Sequence, residues 1–309
     1  MMQSVPSLSY GDVRSAQFAA QIAAAFEQYG FVVITDHGLA QDLCEQFLAL
    51  YKQFFALPEP IKRRYSVPGG GGARGYTAFG IETAKGASHH DLKEFWHTGR
   101  ELEPGHRYTY DMPPNVWVEE IADFRAVTTQ MFDAFDRMGR RLLMAIAQAL
   151  GLAVDYFEDK VNEGNSVLRV IHYPPMAPQP TPSLRAGAHE DINVITLLMG
   201  ADEPGLQLLT ARGQWLPVNP PPGSLVVNVG DMLQRLTNNI LRSTTHRVVN
   251  PASDRAGFAR YSMPFFLHFN PDFLIRTLPS CVSAERPDAY APITANDYLL
   301  ERLREIKLL

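Results

Sequence analysis

The chain has 309 residues, 46% hydrophobic and 20% charged, the composition of an ordinary globular protein with one large domain or two modest ones. Its net charge of -5 leaves no basic surplus to recruit nucleic acid or an anionic membrane. No uninterrupted apolar run approaches the roughly 20 residues needed to cross a bilayer. The first residues lack the basic segment and apolar core of a signal peptide. The two cysteines, Cys44 and Cys281, are too far apart for a metal motif and too few for a disulfide framework, which predicts a reducing, cytoplasmic setting.

In chain order, residues 15–30 read as an amphipathic helix. Phe18, Ile22 and Phe26 recur on one face, Ser15 suits the N-cap and Gly30 the position past the C-terminus. Residues 31–34 form a short apolar strand that ends in the turn Asp36-His37-Gly38. A second helix spans 39–57, with Leu43, Phe47, Leu50, Tyr51 and Phe54 inward, and Leu57-Pro58 stops it. Residues 59–116 are rich in glycine, proline and polar groups; an irregular stretch of that length in a compact protein is more often functional than neutral. A long helix is predicted over 118–150, striped by Ile121, Phe124, Met131, Phe135, Met138, Leu142 and Ile146.

After Asn165 the pattern changes to short β runs at 167–171, 194–198, 205–209, 225–229, 245–249 and 261–266, separated by turn signals such as Pro174-Pro175, Arg212-Gly213 and Asn250-Pro251. Many short strands at this spacing predict a sandwich or barrel. Thr294 with Asp297 resembles a capping box opening a last helix. The expected division is a helical region at 1–160, including roofing loops at 59–116, a β domain at 161–275, and an extension with a helix at 276–309.

His189 and Asp191 stand at the front of an apolar, β-branched run. On a strand, positions i and i+2 share a face, so the imidazole and the carboxylate would project together and Glu190 away from them. His246, on a later strand, can return to supply a third ligand. Two histidines and one carboxylate on one face of a metal leave coordination positions open, a donor set that suits non-haem Fe(II). Arg260 and Ser262 repeat the i, i+2 spacing on the next strand. A forked, permanently charged guanidinium beside a hydroxyl is a carboxylate-binding pair. An inward arginine on a strand continuing as Met263-Pro264-Phe265-Phe266 needs an anionic partner.

In this order and spacing, His189-x-Asp191, His246 and Arg260-x-Ser262 resemble the iron- and 2-oxoglutarate-dependent oxygenases of the isopenicillin N synthase-like group. Other segments share the resemblance: the helix, Gly30-Phe31 and strand leading to His37-Gly38; Leu57-Pro58 with Lys62; Arg74-Gly75-Tyr76; Lys85-Gly86; the strand ending His172-Tyr173-Pro174; and Gly205-Leu206-Gln207, Trp215 and Gly223-Ser224. The resemblance implies a double-stranded β-helix (jelly roll), mainly β with flanking helices, behind an N-terminal helical region. It implies that His189, Asp191 and His246 hold Fe(II), and that Arg260, Ser262 and Tyr173 bind the distal carboxylate of 2-oxoglutarate. The activity implied is O2-dependent hydroxylation, desaturation or ring closure of a small molecule, with release of succinate and CO2. Ile171 stands where the group usually has Asn, so any contact made by that side chain is lost or replaced.

Within the fold, alternatives are an ethylene-forming enzyme or an iron oxidase that does not use 2-oxoglutarate; a zinc hydrolase or a non-catalytic metal-binding protein is a further alternative. Zinc hydrolysis wants a nearby general base, and Glu190 points the wrong way. Arg74, Tyr76, Glu82 and Phe95 in the irregular segment, and His268 beyond Ser262, are candidates for substrate contact. His89, His90 and His97 read as loop or surface residues rather than a second metal cluster, and His172 as structural. The glycine run 69–72 lacks the Lys-Ser/Thr of a phosphate loop.

Overall fold

The computed structural model describes residues 4–69, 72–83, 89–176, 181–199 and 204–305. Two β-sheets face each other. The larger has eight strands in the spatial order Ser7–Ser9, Phe31–Thr35, Leu225–Val229, Ile195–Met199, Arg260–Leu267, Val167–Tyr173, Glu94–Gly99 and Gly75–Thr77. The smaller has four, Ala186–His189, His246–Val248, Leu206–Leu209 and Trp215–Pro217. This is the double-stranded β-helix. Four strands of the larger sheet come from the first hundred residues, so the N-terminal region extends the jelly roll as well as covering it.

The outer face of the larger sheet is covered by helices. Ala16–Gln28 starts at Ser15, whose hydroxyl accepts from Phe18 N at 3.0 Å, and buries Phe18, Ile22 and Phe26. Gln41–Phe55 buries Phe47, Tyr51 and Phe54. The long helix runs Phe124–Ala149, later than the expected start at 118. Asp123 has φ +59, a left-handed conformation that breaks the helical path, so Val118 and Ile121 are buried from an irregular segment instead. Phe132 and Phe135 of this helix pack on Phe265 of the sheet. Thr294 caps the last helix, Ala295–Glu305, its hydroxyl accepting from Asp297 N at 3.1 Å and donating to Asp297 Oδ2 at 2.7 Å.

On strands packed against helices on one side, alternate residues face two different environments. His172 and Tyr173 illustrate this. His172 turns outward, where its Nδ1 lies 2.7 Å from Glu94 Oε1. Tyr173 turns inward and stands opposite Arg260 in the register. Further inward positions are matched in rows across neighbouring strands: Phe95, Ile171 and Ser262 in one; His97, Arg169, Pro264 and Leu198 in the next; Gly99, Val167, Phe266, Thr196 and Asn228 in the third. These rows floor the site.

Gly30 closes the first helix at φ +68 and brings the chain against the segment leading to His246. A Cβ there would stand 2.3 Å from Thr244 Oγ1 and 2.4 Å from Arg242 O. Gly30→Ala therefore combines left-handed strain with overpacking, and is expected to lower stability by about 2–4 kcal/mol. Urea unfolding measures this; an unchanged midpoint would contradict the close approach.

Candidate active site

His189 is the last residue of strand Ala186–His189, and His246 opens the adjacent strand, directly opposite it in the register. Asp191 is not on a strand. It lies in the connection to Ile195–Met199, so the strand-parity argument for the pair does not hold. The carboxylate is aimed by other bonds. Thr196 Oγ1 donates to Asp191 Oδ2 at 2.6 Å and Asn228 Nδ2 donates to the same oxygen at 2.7 Å. Oδ1 is left facing His189 Nε2 at 3.9 Å and His246 Nε2 at 3.8 Å. Glu190 turns away and accepts a hydrogen bond from the Thr245 hydroxyl.

The donor set fits a divalent iron. His189 Nδ1 lies 2.7 Å from Gly187 O, and His246 Nδ1 lies 3.1 Å from Thr244 O. A carbonyl only accepts, so each Nδ1 carries the proton and each Nε2 presents a lone pair beside Asp191. Burial brings the His189 pKa down to about 4, with His246 adding to the effect, so the ring is neutral at pH 7. Burial opposes ionisation of Asp191, yet its carboxyl sits below the ordinary range, because His246, His189 and the bonds from Thr196 and Asn228 outweigh it. Among the described residues this is the one group of three or more His, Cys, Asp or Glu that could hold a metal, its ligand atoms all within 4.8 Å of one another.

Arg260, Ser262 and Tyr173 are brought together as expected. All three are buried on the inner face, and the Arg260 guanidinium lies 5.0 Å from the centre of the Tyr173 ring. A buried guanidinium beside two hydroxyl-bearing side chains suits a carboxylate. Ile171, opposite Ser262, packs with Phe95 and Tyr173, so apolar contact replaces whatever an amide would have made there.

The substrate candidates divide. Tyr76 is not at the site: its hydroxyl donates to Glu94 and Glu59, and its ring packs on Phe54 among the helices. The cause is parity, since Tyr76 pairs with the outward Trp96. Glu82 is at the site. It lies 2.8 Å from Lys93 Nζ and 3.4 Å from Arg169 Nη1, and Lys93 also meets Asp91 at 2.9 Å. Burial alone would raise the Glu82 pKa, but Arg169 and Lys93 hold it well below the carboxylate range. Phe95 lies on the floor under the Arg169 guanidinium, 4.2 Å from ring centre to Cζ. Arg74 and His268 are both buried at the far end of the floor. Lys85-Gly86 lies outside the described residues. His89 and His90 are exposed, and His97 accepts from Arg169 Nε while its Nδ1 faces Gly72 O.

Sequence reading missed Thr196, Asn228, Lys93 and Arg169. Thr196 and Asn228 did leave a signal. Each is a lone polar residue in a strand that is otherwise apolar, Ile195–Met199 and Leu225–Val229, and such a group needs a buried partner.

Two histidines and an aspartate that could hold a metal, a buried arginine beside two hydroxyls and a jelly-roll floor suit a non-haem iron oxygenase. Comparison with known proteins agrees. Residues 164–269 match the 2OG-Fe(II) oxygenase superfamily, and residues 5–120 match the non-haem dioxygenase in morphine synthesis N-terminal family. The chain is 32% identical to the 2-oxoglutarate-Fe(II) type oxidoreductase hxnY of Emericella nidulans, over 91% of this chain and 82% of that protein. It is 33% identical to proline hydroxylase buaE of Petromyces alliaceus, over 94% of this chain and 93% of that one. A crystal structure of a 2OG-Fe(II) oxygenase family protein from Caulobacter crescentus superposes with TM-score 0.91 and 52% identity, covering 99% of this chain and 100% of that one. A crystal structure of a full-length Neurospora crassa protein in complex with alpha-KG and thymine superposes with TM-score 0.86 and 29% identity, covering 97% of this chain and 96% of that one. The chain belongs to the 2OG-Fe(II) oxygenase superfamily. It is an enzyme that uses Fe(II) and 2-oxoglutarate to oxidise a small molecule.

Burial also lowers the His268 pKa to about 4. Between the ordinary imidazole range near 6.5 and pH 4, the unfolded chain binds protons that the folded metal-free protein refuses, so stability falls as pH falls. Urea midpoints at about pH 7 and pH 5 should decrease in that order, and H268Q should reduce the dependence by up to about 1.4 kcal/mol per pH unit. Equal slopes in the two proteins would contradict the buried, neutral ring.

Proposed function

We propose that His189, Asp191 and His246 hold the iron, that Arg260, Ser262 and Tyr173 hold the distal carboxylate of 2-oxoglutarate, and that the chain oxidises a C–H bond of a small substrate placed against the floor formed by Phe95, Arg169 and Phe266. The observation that carries this reading is the orientation of three neutral or anionic donors toward one point, each fixed by a hydrogen bond on its far side. When bound, iron and 2-oxoglutarate together activate O2, and the co-substrate leaves as succinate and CO2.

The protein's own contribution is positioning and exclusion of water. Thr196 and Asn228 occupy Asp191 Oδ2, which leaves Oδ1 toward the metal position. Gly187 O and Thr244 O keep the imidazole protons on Nδ1. Arg260 supplies a buried positive charge to which the co-substrate's acid can bind bidentately. Lys93, Glu82, Asp91 and Arg169 close the opposite side as a linked set of ion pairs, with Lys93 and Asp91 buried and Glu82 and Arg169 half-buried. Such a set is costly to break and so keeps its shape. The thymine and proline named for relatives are small polar molecules, which supports a substrate of similar size here.

The test is succinate release from 2-oxoglutarate in the presence of Fe(II). H189A and D191A are expected to abolish it. R260A should raise the 2-oxoglutarate KM by roughly 30-fold or more, the effect of truncating one partner of a buried charge pair. An unchanged KM would refute the role given to Arg260.

A further inference from the structure

Beyond Phe266, the inner face carries three polar side chains that neither the iron position nor the 2-oxoglutarate position uses: Arg74, Asn165 and His268. Arg74 is 2% exposed. Its guanidinium lies against the backbone of Gly99, where a Cβ would meet Cζ at 2.0 Å. It donates to Pro113 O at 3.1 Å, Ala73 O at 2.7 Å and Asn165 Oδ1 at 3.4 Å. All three acceptors are neutral, and among the described residues no carboxylate stands within ion-pair distance of it. Burial lowers its pKa only to about 10, so it remains a cation at neutral pH.

His268 is 7% exposed, and its charge state responds to both Asp191 and Arg74. Its backbone N–H is held by Ser166 Oγ at 3.1 Å, but its ring makes no hydrogen bond among the described residues. The imidazole therefore keeps a donor and an acceptor available to a ligand. Charge points the same way. Iron(II), Asp191, doubly ionised 2-oxoglutarate and Arg260 sum to neutrality, as do Lys93, Arg169, Asp91 and Glu82. Arg74 has only neutral acceptors among the described residues, and a buried cation calls for an anion.

We propose that Arg74, with Asn165 and His268 beside it, anchors a carboxylate of the primary substrate, so that the enzyme acts on a small organic acid. The row Thr196, Phe266, Val167, Gly99 separates the residue that aims Asp191 from the one under Arg74 by three strand spacings, roughly 14 Å between Cα positions. A compact acid fits that interval with its carboxylate on Arg74 and the carbon to be oxidised toward the metal position. The assignment rests on 2-oxoglutarate occupying Arg260.

The experiment is anaerobic calorimetry on the Fe(II)-loaded protein. 2-Oxoglutarate is titrated first, then benzoate, phenylacetate and hexanoate, each against its primary amide. At least one acid should bind tenfold or more tightly than its amide in the wild-type protein. R74Q should remove that preference, R74K should keep part of it, and both should bind 2-oxoglutarate as the wild type does. The proposal is overturned if no acid is preferred to its amide up to the solubility limit, if R74Q leaves the preference intact, or if R74Q weakens 2-oxoglutarate, which would place Arg74 on the co-substrate. Failure of 2-oxoglutarate to bind the wild-type protein in the first titration would overturn the assignment of Arg260 as well, and so is distinguishable. The acid–amide comparison needs no variant to fold.

Discussion

The Asp191 carboxylate ties the molecule together. One oxygen accepts from Thr196 and Asn228, on neighbouring strands of the larger sheet; the other faces the two imidazoles carried by the smaller sheet. Its backbone carbonyl accepts from Asp231 N at 2.7 Å, which fixes the turn after strand Leu225–Val229. The two sheets of the jelly roll are therefore coupled at the place where the metal ligands meet. Removing this carboxylate would take away the acceptor of the buried Asn228 amide, and the shorter of the two acceptors of the Thr196 hydroxyl, as well as leaving an incomplete metal site.

Around that point the chain separates two kinds of chemistry by strand parity. Outward residues such as Trp96, Leu168 and Phe265 join the helical core. The inner face instead carries Lys93, Arg260 and Ser262, which are charged or polar yet buried, and the half-buried Arg169. Such groups are tolerable inside only where each finds a partner. Lys93 and Arg169 find theirs in Glu82 and Asp91. The inner face is thus a ready-made electrostatic surface, and acidic ligands are the natural complement to its cations.

Much of this was legible in the sequence. Short strands, the capped first helix, the i, i+2 pair Arg260 and Ser262 on one strand, and the gathering of His189, Asp191 and His246 follow from residue type and motif. What was not legible depends on register. Tyr76 looked like a roof residue because it lies in a loop-rich stretch, but one strand pairing with Trp96 turns it to the helical side. Asp191 looked like a strand residue, but the strand ends at His189, and the carboxylate is aimed by Thr196 and Asn228, the second 37 positions away. The late start of the long helix turns on the left-handed Asp123. None of these follows from hydrophobic periodicity, which says that a residue is buried and not which neighbour it meets.

The measurement closest to the central claim is the visible spectrum of the anaerobic protein as Fe(II) and then 2-oxoglutarate are added. Chelation of iron by the co-substrate in a site held by His189, Asp191 and His246 predicts a weak metal-to-ligand charge-transfer band that needs both additions, disappears in D191A and persists in the exposed-residue variant E190Q. A wild-type protein that binds iron yet shows no band at saturating 2-oxoglutarate would contradict it.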